Sequence, residues 1–281
     1  MLFVTMQTPA KVNLYLKVTG RRADGYHEIE TLFWPVRQFC DTVELDFPAY
    51  GGISMVCDGQ SEGVPCDSRN LCWKALELFQ KRIGREFSVR IRLTKRIPVA
   101  AGMGGGSSDA AATLLELRRC QAPEMTDAEL ASMAVQLGAD VPFFLNPVPS
   151  LGTGVGDNLS PVFAVGEPSL FIVHPQFPIP ASWAYANFGE KSMVEEGTLM
   201  RMLGALAEGD WGRVASCVRN DLEACILAKF PVLAMLKERM EQLGVRHVHI
   251  SGSGPVLFGF ADAKTSLDAR SVLEEEYRGI L

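Results

Sequence analysis

The segment Gly102-Met-Gly-Gly-Gly-Ser-Ser108 is the part of the chain best suited to hold an anion. Four glycines in five positions let the backbone turn sharply and bring its N–H groups against a ligand. A helix beginning near Ser107 or Ser108 would add unpaired N–H donors and the positive end of its dipole, a combination that suits a phosphate. The spelling separates rival loops. A Walker loop ends in Gly-Lys-Ser/Thr, and no lysine follows these glycines. A dinucleotide loop needs glycine where Ser107 stands. A hydrolase elbow, G-x-S-x-G, is approached by Gly106-Ser-Ser108-Asp-Ala110 but ends in alanine. A serine hydrolase using Ser108, and a non-catalytic protein on the same scaffold, stay open as weaker alternatives. So does a plain surface turn, which the flanking strand and helix disfavour.

Other groups allow two readings each. Asp140 sits just past a helix end, where a carboxylate caps a turn or accepts a hydroxyl proton. Lys11 and Asn13 lie two apart in an alternating segment and so share one strand face; a lysine there is most often a solvated edge charge. His247 and His249 form H-x-H, but no third ligand accompanies them at metal spacing, which favours two strand histidines over a metal site.

The elements around these residues are partly legible. Ala10–Val18, Thr42–Phe47 and Phe87–Leu93 alternate as half-buried strands, and Asn70–Arg82 has helical spacing with Leu71, Ala75, Leu78 and Phe79 on one face. Ile97 leads into the glycine loop, and Ala110–Leu117 favours helix. Thr126-Asp-Ala-Glu129 is a capping box, with Gly138 as the stop. Pro142, Pro147, Pro149, Gly152, Gly154 and Gly156 form a turn-rich stretch that predicts a domain boundary, dividing the chain into 1–157 and 158–281. Beyond it, strands are expected at Leu170–Val173, Val245–Ile250 and Val256–Phe260, with helices at Pro231–Leu243 and Ser266–Tyr277. The strands and helices lack a strict parallel rhythm, so the fold class is α+β.

Composition narrows the rest. The 281 residues are 47% hydrophobic and 21% charged, which excludes disorder and collagen-like repeats. The net charge of −6 argues against a nucleic-acid partner. Seven cysteines, at 40, 57, 66, 72, 120, 217 and 225, include no C-x-x-C pair, so they read as reduced cytosolic thiols. The N-terminus lacks a signal-peptide pattern, and no apolar run reaches membrane-helix length. The expectation is a soluble cytoplasmic protein with no membrane partner.

The loop is one of an ordered set: Pro9-Ala-Lys-Val-Asn-Leu14, Ala23-Asp-Gly-Tyr-His-Glu28, Thr31-Leu-Phe33, the loop itself, Leu137-Gly-Ala-Asp-Val-Pro-Phe143, Gly154-Val-Gly-Asp157, Arg219-Asn-Asp-Leu-Glu223 and Ser251-Gly-Ser-Gly254. In this order, from about Pro9 to Phe260, it resembles the GHMP kinase superfamily. The Lys11/Asn13, Gly25-Tyr26-His27 and Leu137–Phe143 segments resemble the branch that phosphorylates a cytidyl-bearing sugar alcohol. Met103 stands where leucine is usual, a volume-conserving change. Ala181 and Ser182 replace a Ser/Thr-rich start, which puts a hydroxyl contact at 181 in doubt.

The resemblance implies an ATP-binding α/β domain and a C-terminal ferredoxin-like domain, with substrate in the cleft between them. It implies ATP as phosphoryl donor, with Mg²⁺ bound mainly through ATP rather than at a protein metal site. Lys11 and Asp140 would be catalytic. Pro98, Ala101, Gly102, Gly104, Gly105, Gly106, Ser107, Ser108, Asn70 and Lys95, with Arg96 nearby, would hold the nucleotide. Asn13, Tyr26, His27, Phe33 and Tyr185 would hold the cytidyl substrate, although an isolated Phe33 is more often core. The Ser251–Gly254 loop would close on the triphosphate side. The protein would be a monomer or homodimer, and a homoserine- or mevalonate-type kinase of the superfamily is the alternative.

Overall fold

The computed structural model describes residues 3–189 and 195–281. The chain divides into two compact units, and the division is not one cut. The first holds the chain up to Lys11, Pro35–Val99 and Gly104–Val148; the second holds Val12–Trp34, Ala100–Met103 and Pro149–Leu281.

Two long strands contribute to both units, β1 (Phe3–Arg21) and β2 (His27–Asp46). They extend well beyond the alternating cores at 10–18 and 42–47. In the first unit they are joined by β3 (Ile53–Gly59) and β4 (Val89–Lys95), in the order β3-β4-β2-β1. β3 runs parallel to β4, and β4 antiparallel to β2. The inward residues of β4 are Val89, Ile91, Leu93 and Lys95, so the last inward position of an otherwise apolar row is a lysine. Helices α1 (Leu71–Ile83), α2 (Gly105–Gln121), α3 (Asp127–Leu137) and α4 (Val141–Leu145) complete this unit and pack on one another.

Local chemistry sets the helix ends. Asn70 caps α1 by accepting from the Cys72 N–H at 2.9 Å, and Gly84 ends it at φ 65°, a left-handed angle that favours glycine. Cys72, Ala75, Leu76 and Phe79 form its buried stripe. The predicted capping box at Thr126 and Glu129 is present in full. Asn70→Ala is expected to remove about 1 kcal/mol of stability, the usual loss for such a cap, read as a lowered urea midpoint.

In the second unit, β5 (Ser150–Thr153) pairs with β2 and with β6 (Asn158–Pro161). The turn-rich stretch therefore contains a hairpin, and Pro142 lies in the first turn of α4, where proline's missing N–H is not needed. β7 (Leu170–Val173) is followed by α5 (Ala181–Ala186), α6 (Thr198–Glu208) and α7 (Trp211–Cys217). β8 (Arg219–Asn220) runs parallel to β1. After α8 (Glu223–Lys229) and α9 (Pro231–Gln242) come β9 (Arg246–Ile250), β10 (Leu257–Phe260) and α10 (Ala263–Glu276). β7, β10 and β9 form an antiparallel sheet in that order. Its core includes Phe171, Leu233, Leu236, Val248, Ile250 and Leu273. Among the described residues no helix is long and apolar enough to cross a membrane.

Candidate active site

In the first unit, β1 delivers Lys11 and the start of α4 delivers Asp140. The Lys11 Nζ lies 3.4 Å from the Asp140 Oδ2, with the lysine side chain 5% and the aspartate side chain 34% exposed. The cation is therefore inside and the carboxylate faces solvent. Asp140 occupies the N-cap position of α4, yet its side chain makes no capping hydrogen bond. The turn-capping reading of this residue fails on that point.

The glycine loop reaches the same place. Gly104 has φ 71°, and a Cβ there would lie 2.8 Å from two atoms of the Phe144 ring and 3.3 Å from Lys11 Cε. Only a backbone without a side chain approaches so closely. α2 starts at Gly105, two residues before the expected Ser107. The N–H groups of Gly105, Gly106 and Ser107 thus form its first turn and have no partner within the helix. Ser108 departs from expectation: its N–H donates to the Gly104 carbonyl at 2.9 Å, and the residue is 2% exposed. It is neither an anion donor through its backbone nor an accessible nucleophile, which removes the basis of the hydrolase alternative.

Lys95 and Asn70 also differ from expectation. Lys95 is buried beneath the loop, and a Cβ on Gly105 would lie 3.1 Å from its Nζ. The ammonium donates to Asp41 and, at 2.9 Å, to Asp109 Oδ2. Asp109 Oδ1 accepts from the Thr8 hydroxyl at 2.7 Å, and Asp41 Oδ1 from the Ile97 N–H at 2.8 Å. Burial pushes the Asp109 carboxyl up to about 6, against the pull of Lys95. Burial also opposes the Lys95 charge, but the two carboxylates hold its pKa above the usual lysine value. This lysine supports the loop from below; its ammonium is committed to the two aspartates. Asn70 uses its oxygen in capping α1 and its amide N–H on the Pro65 carbonyl at 2.9 Å, so its side chain is occupied in holding structure. Pro98 is half-buried, Ala101 is buried and Arg96 is exposed.

The second unit carries the other candidates. The Asn13 amide donates to the Thr31 hydroxyl at 2.7 Å, and that hydroxyl to the Tyr15 carbonyl at 2.8 Å. The rings of His27 and Tyr185 stack, with centroids 5.4 Å apart and 25° between planes. Phe188 meets His27 edge-on at 6.3 Å. Burial, with the nearby Arg21, lowers the His27 pKa. Tyr26 is exposed. Phe33 is a correction: it is buried to 1% exposure, and its ring lies so close to Gly152 that a Cβ there would be 2.9 Å away. It is core, not an open face for a base. Phe188 was missed in the sequence, although its spacing of three from Tyr185 was a usable signal.

Also in the second unit, the Ser251 hydroxyl donates to the Gly102 carbonyl at 3.1 Å. Gly102 has φ 75°, and a Cβ there would be 2.2 Å from the Ser251 carbonyl oxygen. Gly102→Ala is expected to destabilise by about 1–3 kcal/mol through overpacking and left-handed strain. A thermal melt checks it. Nearby, the Asn220 amide donates to the carbonyls of Ile250 and Gly252, at 2.8 Å each. His249 pairs with Glu223 at 2.9 Å, and Glu223 also takes Lys237. The H-x-H pair is thus split, with His249 hydrogen-bonded to Glu223 and His247 at φ 51°.

Sequence profiles for the GHMP kinases N terminal domain and the GHMP kinases C terminal match residues 70–146 and 202–279. The chain is 35% identical over 271 residues to the 4-diphosphocytidyl-2-C-methyl-D-erythritol kinase of Geobacter sp. (strain M21), covering 96% of this chain and 94% of that protein. A crystal structure of 4-(cytidine 5'-diphospho)-2C-methyl-D-erythritol kinase superposes with a TM-score of 0.82 at 35% identity, covering 97% of this chain and 96% of that one. A homoserine kinase from Cytophaga hutchinsonii superposes with a TM-score of 0.76 at 18% identity, covering 98% of this chain and 90% of that one; at that identity the likeness concerns the fold alone.

Proposed function

This chain belongs to the GHMP kinases and, among them, to the 4-diphosphocytidyl-2-C-methyl-D-erythritol kinases, and we propose that Lys11 and Asp140 carry its phosphoryl transfer. It is an ATP-dependent small-molecule kinase. Its acceptor is the 2-hydroxyl of 4-diphosphocytidyl-2-C-methyl-D-erythritol, and the products are the 2-phosphate and ADP.

The observation that carries the assignment of residues is the Lys11–Asp140 pair at 3.4 Å, beside a loop residue that only glycine can occupy. Phosphoryl transfer asks for alignment and charge neutralisation more than for covalent help. The Asp140 carboxylate accepts the proton of the acceptor hydroxyl as that oxygen bonds to the γ-phosphorus and the bond to the β-phosphate oxygen breaks. The Lys11 ammonium, 3.4 Å from Asp140, offsets charge on the transferring oxygens. The first-turn amides of α2 grip the phosphates. Mg²⁺ is taken to be held chiefly by the triphosphate of ATP. When bound there, it shields phosphate charge. The His27, Tyr185 and Phe188 rings supply stacking surface for the cytosine, each such contact being worth about 1–3 kcal/mol. Asn13 hydrogen-bonds the sugar alcohol in this reading.

A coupled ADP-release assay with the cytidyl substrate, homoserine and mevalonate tests the reading. Turnover with the cytidyl substrate alone, inhibited by CMP, is expected. Turnover with homoserine or mevalonate and indifference to CMP would refute it.

A further inference from the structure

Two of the seven cysteines lie close together in the first unit, beside the Asn70 cap. Cys57 lies on β3, on the more covered face with Ile53 and Met55. After Gly59 the chain doubles back through the Ser61 N–H to Gly59 carbonyl bond at 2.8 Å and the Val64 N–H to Ser61 carbonyl bond at 2.9 Å. This return brings Pro65 and Cys66 alongside Cys57. The Cys57 thiol points at the Pro65 carbonyl, 3.9 Å away, and the Cys66 thiol at the Val64 carbonyl, 3.8 Å away. The two thiols are near enough for Cys66 to act on the ionisation of Cys57. The Asn70 amide holds the same Pro65 carbonyl at 2.9 Å, so the returning segment is tied to the cap of α1. Cys66 is exposed and Cys57 half-buried.

We propose that Cys57 and Cys66 form a reversible dithiol site that a low-molecular-weight disulfide, such as oxidised glutathione, closes into an intramolecular disulfide. The geometry supplies what exchange requires: one sulfur open to solvent, a second held against the carbonyl of the residue just before it, and a short loop whose closure carries little entropy. In the first step the Cys66 thiolate, its proton released to solvent, attacks one glutathione sulfur. A mixed disulfide forms and one glutathione thiolate leaves. In the second step Cys57 gives up its proton and attacks the Cys66 sulfur, expelling the second glutathione thiolate. Both thiolates take up protons. The two cysteines are oxidised by two electrons in all, and one oxidised glutathione becomes two reduced ones. Burial and the neighbouring Cys66 push the Cys57 thiol up to about 12, so Cys66 opens the exchange and Cys57 resolves it, faster at higher pH.

The test exposes the folded protein to glutathione mixtures of rising oxidised fraction, then quenches, alkylates, digests without reductant and reads masses. The expected product is a Cys57–Cys66 linked peptide pair, lighter by two hydrogens, formed before other thiols react and lost on adding reductant. Cys57→Ser should stop at a glutathione adduct on Cys66. Cys66→Ser, a change at an exposed position, should leave Cys57 open to alkylation in denaturant. An unmodified Cys66, a stable glutathione adduct there in the unaltered protein, or a link from Cys66 to any other cysteine would overturn the proposal.

Discussion

Asp140→Asn is expected to lower kcat roughly 10²–10⁴-fold, the range over which a positioned base contributes, while KM for ATP changes little. Asparagine matches aspartate in size but accepts no proton at neutral pH. The carboxylate caps nothing at the start of α4, so the helix should survive. Because its side chain is 34% exposed, the ion pair with Lys11 is partly screened, and stability should change by about 1 kcal/mol or less. The measurement pairs coupled ADP release with a thermal melt. A variant that kept full turnover would take the proton-acceptor role away from this residue.

Lys95→Met is expected to have the largest effect on stability, about 3–5 kcal/mol, the range for breaking a buried ion pair from one side. Asp41 is fully buried and Asp109 nearly so. Without the ammonium, both carboxylates lose a charged partner in a place water does not reach. The effect should depend on pH. The Asp109 pKa is already raised to about 6 in the folded protein by burial, above its unfolded value near 3.9. The folded state therefore holds the extra proton, and its stability relative to the unfolded state falls as pH rises through that range. Losing Lys95 raises this carboxyl further, so the deficit should be greater at pH 8 than at pH 5. Urea unfolding of both proteins at the two pH values measures it. An equal deficit at both would show that Asp109 is not the group left unpaired. Because Lys95 lies under Gly105, the variant should also bind ATP more weakly.

Residues with near neighbours in the chain were read well from the sequence. The Thr126–Glu129 box and the cap stop at Gly138 depend on contacts three or four residues away, so their spelling sufficed. Lys11 and Asn13 share a strand face by period, but the solvated edge that a lysine there suggests gives way to burial, Lys11 at 4% and Asn13 at 3% exposure. Asn70 offered a similar signal, a favoured cap residue before an apolar-periodic run, yet the likeness to a nucleotide site overrode it. Lys95 was a nearer miss. The alternation through Val89, Ile91 and Leu93 points inward at position 95, but a lysine there looks like the end of the strand rather than its last core residue.

Taken alone, the sequence carried the GHMP kinase resemblance, a glycine loop ahead of a helix and, through that resemblance, the pair of residues to examine beside it, because motif order and short-range hydrogen bonding are properties of the chain as written. Tertiary structure alone decided that Asp140 is free of capping and paired with Lys11, that Ser108 and Phe33 are buried, and that Lys95 serves Asp41 and Asp109. Asp41 is 54 residues from Lys95, and Thr8 is 101 from Asp109. Burial and charge pairing over such separations depend on which strands and helices meet, and that is set by the packing of the whole unit rather than by any local run of residues.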